Sequence, residues 1–173
     1  DHHSYYETED YILFELGFVG GQSMRLVLPK EGKELNSLLT EQSLKAILSS
    51  PEESTQKSAK VNLKLPKFSF DSNFNLNKLC QSLGLEELFS ESSDLSGISK
   101  ENIAVSNVQQ ENHVEIDENG CKAAAYTKID IREMSLLLDE TEEINLSFDR
   151  PFLFSIQSGD NAPLFVGTVY QPK

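Results

Sequence analysis

From residue 120 to residue 132 the sequence alternates with a strict period of two. Cys121, Ala123, Ala125, Thr127, Ile129 and Ile131 fall on one face of an extended chain; Lys122, Ala124, Tyr126, Lys128, Asp130 and Arg132 fall on the other. The first set is small and apolar and the second mostly polar, the pattern of a strand with one buried face. The flanks say otherwise. Glu118-Asn119-Gly120 is a turn signal, and Asp139, Glu140, Glu142 and Glu143 form an acidic run expected to be a solvated loop. A segment as long as 120–139 with no structure of its own is unusual inside a compact domain and points to function or mobility. Two readings fit. The segment is a loop in one state and an inserted strand in another, its small residues letting it slide between existing strands. Or it is an ordinary edge strand with an alanine patch.

The rest of the chain reads as mixed α and β, mostly antiparallel. Residues 11–18 and 23–29 are apolar runs around Gly20-Gly21 and are expected to form a hairpin. Leu35, Leu38, Leu39, Leu44, Ile47 and Leu48 lie near helical spacing, as two short helices broken near Thr40. Residues 49–58, polar and with Pro51, read as a loop. Residues 60–71 read as one long strand with an irregularity at Pro66. Leu76, Leu79, Cys80 and Leu83 form the apolar stripe of a short helix that Gly84 ends. Residues 105–116 look extended. Residues 152–156 and 164–169, joined by Ser158-Gly159-Asp160-Asn161, read as a hairpin whose strands lie in the core.

Charge and motifs narrow the chemistry. With 173 residues the chain is long enough for a core, and its formal charge of -13 argues against nucleic acid or an anionic membrane as partner. No apolar stretch is long enough to span a bilayer. The chain opens Asp1-His2-His3-Ser4, with neither Met nor a signal-peptide pattern, and is expected not to begin at a natural translation start. His2 and His3 lack companions at ligand spacing, so no metal site is expected and a frayed, solvated terminus is. A disulfide between Cys80 and Cys121 is possible but disfavoured. There is no nucleophile elbow, phosphate loop, zinc motif or dinucleotide fingerprint. His113 beside Glu115 admits a base-plus-carboxylate reading; a surface or strand-edge histidine is preferred, because no motif places a nucleophile near it. No enzyme activity and no cofactor are expected. Asn145-Leu146-Ser147 is a glycosylation sequon, relevant to a secreted protein.

Several longer motifs bear on the alternating segment. The stretch Val114-Glu115-Ile116-Asp117-Glu118-Asn119-Gly120-Cys121-Lys122-Ala123-Ala124-Ala125 resembles the hinge of the serpins, the serine protease inhibitor family. Asp149-Arg150-Pro151-Phe152-Leu153-Phe154 is similar to the serpin strand that follows the reactive loop. Leu164-Phe165-Val166-Gly167-Thr168-Val169 is similar to the family's last strand, and Ser93-Asp94-Leu95-Ser96-Gly97-Ile98 to its Asp-Leu-Ser-Gly turn. Ser23-Met24 with Leu26-Val27-Leu28-Pro29 also matches. The resemblance covers nearly the whole chain and implies an α+β serpin fold, with residues 1–173 as the C-terminal part of one domain. The reactive-centre loop falls at about 120–146, and the N-terminal half is expected to be absent, a serpin being roughly twice this length.

What the resemblance implies is a protease trap, loop insertion into a sheet being a standard example of a conformational switch. The target serine protease attacks the exposed loop and forms an acyl-enzyme. The freed hinge side (Glu118, Gly120, Cys121, Lys122, Ala123, Ala124, Ala125, Tyr126) then enters the main sheet. Counting the family's spacing from Gly120 puts the reactive bond at Met134-Ser135, with Arg132, Leu136, Leu137 and Leu138 as alternatives. Met suits elastase- or chymotrypsin-like enzymes, and Arg132 would suit trypsin-like ones. Cys121 stands where the family has Thr, and Lys122 where it has Glu. By the alternation Cys121 faces inward and is small, while Lys122 and Tyr126 face outward. Partners are then the protease and the N-terminal half of the same serpin, in a secreted setting. The alternatives are a non-inhibitory serpin (carrier, storage protein or chaperone) and a fragment with no activity of its own.

Overall fold

The computed structural model describes residues 2–49, 51–117, 120–121 and 142–172. They divide into two compact units, one of residues 1–68 with 116–173 and one of residues 69–115. In chain order the described strands are β1 (His2–Glu7), β2 (Tyr11–Gly17), β3 (Ser23–Pro29), β4 (Gln56–Lys64), β5 (Phe68–Asn75), β6 (Gln109–Asp117), β7 (Gly120–Cys121), β8 (Glu143–Ser147), β9 (Phe152–Gln157) and β10 (Pro163–Val169). The helices are α1 (Glu41–Leu48) and α2 (Asn77–Ser82).

The first unit is built on a seven-stranded sheet of order β10-β9-β3-β2-β1-β4-β8. Every pairing is antiparallel except β4 with β8, which is parallel. Its middle is buried on both faces, β3 and β9 along their whole lengths, which is why neither alternates cleanly in sequence. On one face Leu13, Val27 and Leu153 pack with Leu35 and Leu38 of a 3₁₀ turn and Ile47 of α1. Each such buried side chain contributes about 1.5–3 kcal/mol. On the other face Phe68 stacks with ring centroids 5.9 Å from Phe152 and 5.1 Å from Phe154, and Phe148 meets Phe152 edge-on at 5.1 Å. Thr40 caps α1, its hydroxyl accepting from the Ser43 N–H at 3.2 Å. The β2–β3 hairpin turns at Gly20 and Gly21 with φ of 112° and 88°, which side chains with a Cβ rarely adopt.

In the second unit β5 and β6 are joined by a polar cross-strand ladder. Asn73 Nδ2 donates to Glu111 Oε1 at 2.9 Å, and Asn112 Nδ2 to Ser72 Oγ at 3.2 Å. α2 follows β5 and ends at Gly84, whose φ of 88° is the left-handed helix stop expected there.

Several expectations need correction. The N-terminus is not frayed: β1 is an interior strand, paired with β2 on one side and β4 on the other. The expected loop at 49–58 already becomes β4 at Gln56, after a 3₁₀ turn. The single strand expected over 60–71 is two strands, β4 and β5, that belong to different sheets; Pro66 lies between them and cannot donate to a ladder. The apolar stripe of α2 is not a core face, since Leu79 and Leu83 are 52% and 71% exposed. β10 lies at a sheet edge rather than in the core, with Leu164 and Val166 about half exposed.

Candidate functional site

β6 carries Val114 and Ile116 buried with Glu115 half-buried between them, while His113, just before them, is exposed. The buried pair continues the alternation read from the sequence. β7 pairs antiparallel with the end of β6, Ile116 opposite Cys121 and Asp117 opposite Gly120. Gly120 and Cys121 of the expected hinge are therefore paired strand. At the other end of the expected loop, residues 143–147 form β8, in parallel register with β4 from Lys60↔Glu143 to Lys64↔Ser147. Asn62 Nδ2 donates to both Glu143 Oε1 at 2.7 Å and Asn145 Oδ1 at 3.1 Å. The expected loop of about 120–146 is thus strand at both described ends. Glu118, Lys122, Ala123, Ala124, Ala125, Tyr126, Arg132, Met134, Ser135, Leu136, Leu137 and Leu138 lie outside the described residues.

The strand after the loop is anchored firmly. Arg150 Nη2 donates to the Pro29 carbonyl at 2.9 Å, and Phe152 through Gln157 are buried. On the last strand, Gly167 faces the Phe154 ring so closely that a Cβ would lie 2.6 Å from it. The glycine in the Leu164–Val169 motif has this packing reason.

His113 is a surface histidine with carboxylate neighbours. Its Nδ1 lies 2.7 Å from Asp71 Oδ1 across the β5–β6 pair and its Nε2 lies 3.9 Å from Glu115 Oε2. The hydrogen bond to Asp71, then the charges of Asp71 and Glu115, hold its pKa above the ordinary value. Asp71 was not legible as its partner, because only the pairing of two strands distant in sequence brings it near. Among the described residues no three His, Cys, Asp or Glu side chains group to hold a metal ion. Cys80 is a free thiol. No described helix is long and apolar enough to cross a membrane.

The two strands β7 and β8, the buried β9 after them and the glycine-bearing β10 belong to an α+β protein. The family model for the serpins, described as serine protease inhibitors, matches residues 1–172, and the chain belongs to that family. It is 33% identical to an uncharacterized serpin-like protein of Thermococcus kodakarensis over 98% of this chain and 39% of the relative. It is 37% identical to the plasma serine protease inhibitor of Homo sapiens over 90% of this chain and 36% of the relative. Among solved structures it is similar to Serpin48 of the insect Tenebrio molitor, with a TM-score of 0.72 and 29% identity over 98% of this chain and 43% of that one. The fold is the C-terminal portion of the serpin fold. The chain spans 36–39% of the length of these two curated relatives.

Proposed function

We propose that the protein containing this chain inhibits serine proteases as a suicide substrate. The protease cleaves within the connection from β7 to β8, remains attached as an acyl-enzyme, and is displaced as residues 121–131 extend β7 alongside β6. The single observation that carries this reading is the antiparallel pairing of Gly120 and Cys121 with Asp117 and Ile116. A strand already begun needs only further residues of matching period to lengthen, and the sequence from Cys121 to Ile131 supplies them. Each added pair satisfies backbone groups of β6, and the small inward residues Ala123 and Ala125 enter without overpacking.

In this reading Glu118, Gly120, Cys121, Lys122, Ala123, Ala124, Ala125 and Tyr126 form the hinge. Met134-Ser135 is the reactive bond, with Arg132 and Leu136, Leu137 or Leu138 as alternatives. Elastase- or chymotrypsin-like enzymes are the favoured targets, and trypsin-like ones follow if the bond is at Arg132. The chain acts together with the N-terminal part of the serpin fold, as the C-terminal part of one domain, in a secreted protein. Support for the inhibitory class comes from relatives whose names state protease inhibition, such as the human plasma serine protease inhibitor; support for secretion comes from the word plasma in that name.

The test is incubation of full-length protein with elastase, chymotrypsin and trypsin, followed by denaturing electrophoresis. A covalent complex of protease and inhibitor, with the loop cut between 132 and 138, is expected for at least the first or second enzyme. Cleavage with no complex by all three enzymes would place the protein with the non-inhibitory serpins.

A further inference from the structure

Among the described residues β8 is the last strand of its sheet and pairs only with β4. The hydrogen bonds fix which residues turn their backbone groups away from β4. The Lys60 N–H donates to the Glu142 carbonyl at 2.9 Å and the Phe148 N–H donates to the Lys64 carbonyl at 2.9 Å. Residues of that parity direct their N–H and C=O toward β4, because alternate residues of a strand point these groups to opposite sides. Glu143, Asn145 and Ser147 therefore aim theirs away from the sheet. An open edge of this kind is a template for pairing with another chain.

Asn145 stands at the centre of that edge and is also the acceptor of the Asn145-Leu146-Ser147 sequon. Its side chain is exposed, while Leu146 beside it is 3% exposed and points inward. The two ends of its amide have different surroundings. Oδ1 accepts from Asn62 Nδ2 at 3.1 Å, and no hydrogen bond is recorded for Nδ2 among the described residues. N-glycosylation takes place on Nδ2 and keeps Oδ1 as an acceptor. A sugar can thus be attached at Nδ2 without breaking the tie to Asn62, which would hold the first sugar in a fixed direction.

We propose that Asn145 carries an N-linked glycan that covers the open edge of β8 and blocks its pairing with a second copy of the chain. This rests on the secreted setting proposed above, not on the inhibitory mechanism. The bond formed joins asparagine Nδ2 to the anomeric carbon of a lipid-linked oligosaccharide, and the lipid diphosphate leaves. A bulky, hydrated glycan at Asn145 excludes a partner strand.

The test uses full-length protein directed into the secretory pathway of eukaryotic cells by an appended signal sequence, so that the glycan is scored whatever the natural route of export. Glycosidase treatment is expected to shift the wild type and Ser147→Thr by one glycan, with mass spectrometry placing it at Asn145. Asn145→Gln and Ser147→Ala are expected not to shift from that site. Sedimentation at matched concentration is then expected to show several-fold more self-association for both of these variants than for wild type and Ser147→Thr. An Asn145 without glycan in the exported wild type overturns the site. A glycan whose loss leaves association unchanged in both variants overturns its role at the edge. A failed protease-complex assay alongside a glycosylated Asn145 would count against the inhibitory reading alone.

Discussion

Arg25 shows what a single side chain does in this fold. It lies 1% exposed on β3, opposite Glu15 in the hairpin register. Its Nη1 donates to the carbonyls of Ile47, Leu48 and Ser49 at 3.2, 3.0 and 2.6 Å, and its Nε reaches Glu15 Oε2 at 3.4 Å. These carbonyls end α1, where unpaired acceptors and the negative end of the helix dipole favour a cation. Arg25→Met would leave the buried Ile47 carbonyl and the less buried carbonyls after it without this donor, and is expected to cost about 3 kcal/mol in urea unfolding. A change under about 1 kcal/mol would mean that water replaces the guanidinium. Gly167→Ala tests the contact with Phe154 and should cost about 1–3 kcal/mol by overpacking. His113 gives a pH signature. Its folded pKa is raised by Asp71 and Glu115, so its stabilising effect is complete below the unfolded value near 6.5 and is lost as pH rises through the higher folded one. Titration of the His113 ring protons by NMR should give a pKa above 6.5, returning toward it in Asp71→Asn. Of these roles, only the surface position of His113 and its nearness to Glu115 were visible in sequence. Arg25, Gly167 and the Asp71 contact of His113 depend on strand register or a tertiary contact, and immediate neighbours in the chain do not reveal them.

Elements were more legible where the chain signals its own local structure. β3 forms over the expected residues, because an apolar run between a glycine turn and a proline admits little else. The break at Thr40 is legible for a similar reason: a threonine before a helical stretch caps it. Thr40→Ala is expected to lower stability by about 1 kcal/mol, seen as a drop in thermal midpoint with the fold retained. β1 escaped notice because His2, His3 and Ser4 are polar. What makes it a strand is the pairing offered by β2 and β4 on its two sides, which depends on residues far along the chain. α2 was found, but its leucines are exposed, since a stripe of leucines specifies a face without specifying what covers it. The proposed hinge belongs to this scale too. Ala123→Arg would carry an unpaired charge into the growing sheet, and full-length protein bearing it should be cleaved as a substrate with a several-fold higher stoichiometry of inhibition. An unchanged stoichiometry would contradict the inward facing of the odd-numbered residues.

For the whole molecule, the motifs made the family readable, because a hinge, a strand after it and a closing strand recur in one order across the chain. They could not convey how the parts pair. The parallel join of β4 and β8 ties the exit of the loop to a strand some 80 positions earlier, and no local pattern encodes it. The account therefore depends on a difference between two states of one segment. The described residues of β7 are Gly120 and Cys121; in the proposed mechanism the strand runs on toward Ile131 after cleavage and forms a full strand beside β6. The most direct measurement is the thermal midpoint of full-length protein, intact and after a single cut between 132 and 138. The account predicts a large rise on cleavage, because a strand's worth of hydrogen bonds and buried surface is gained. An unchanged or lower midpoint would contradict it.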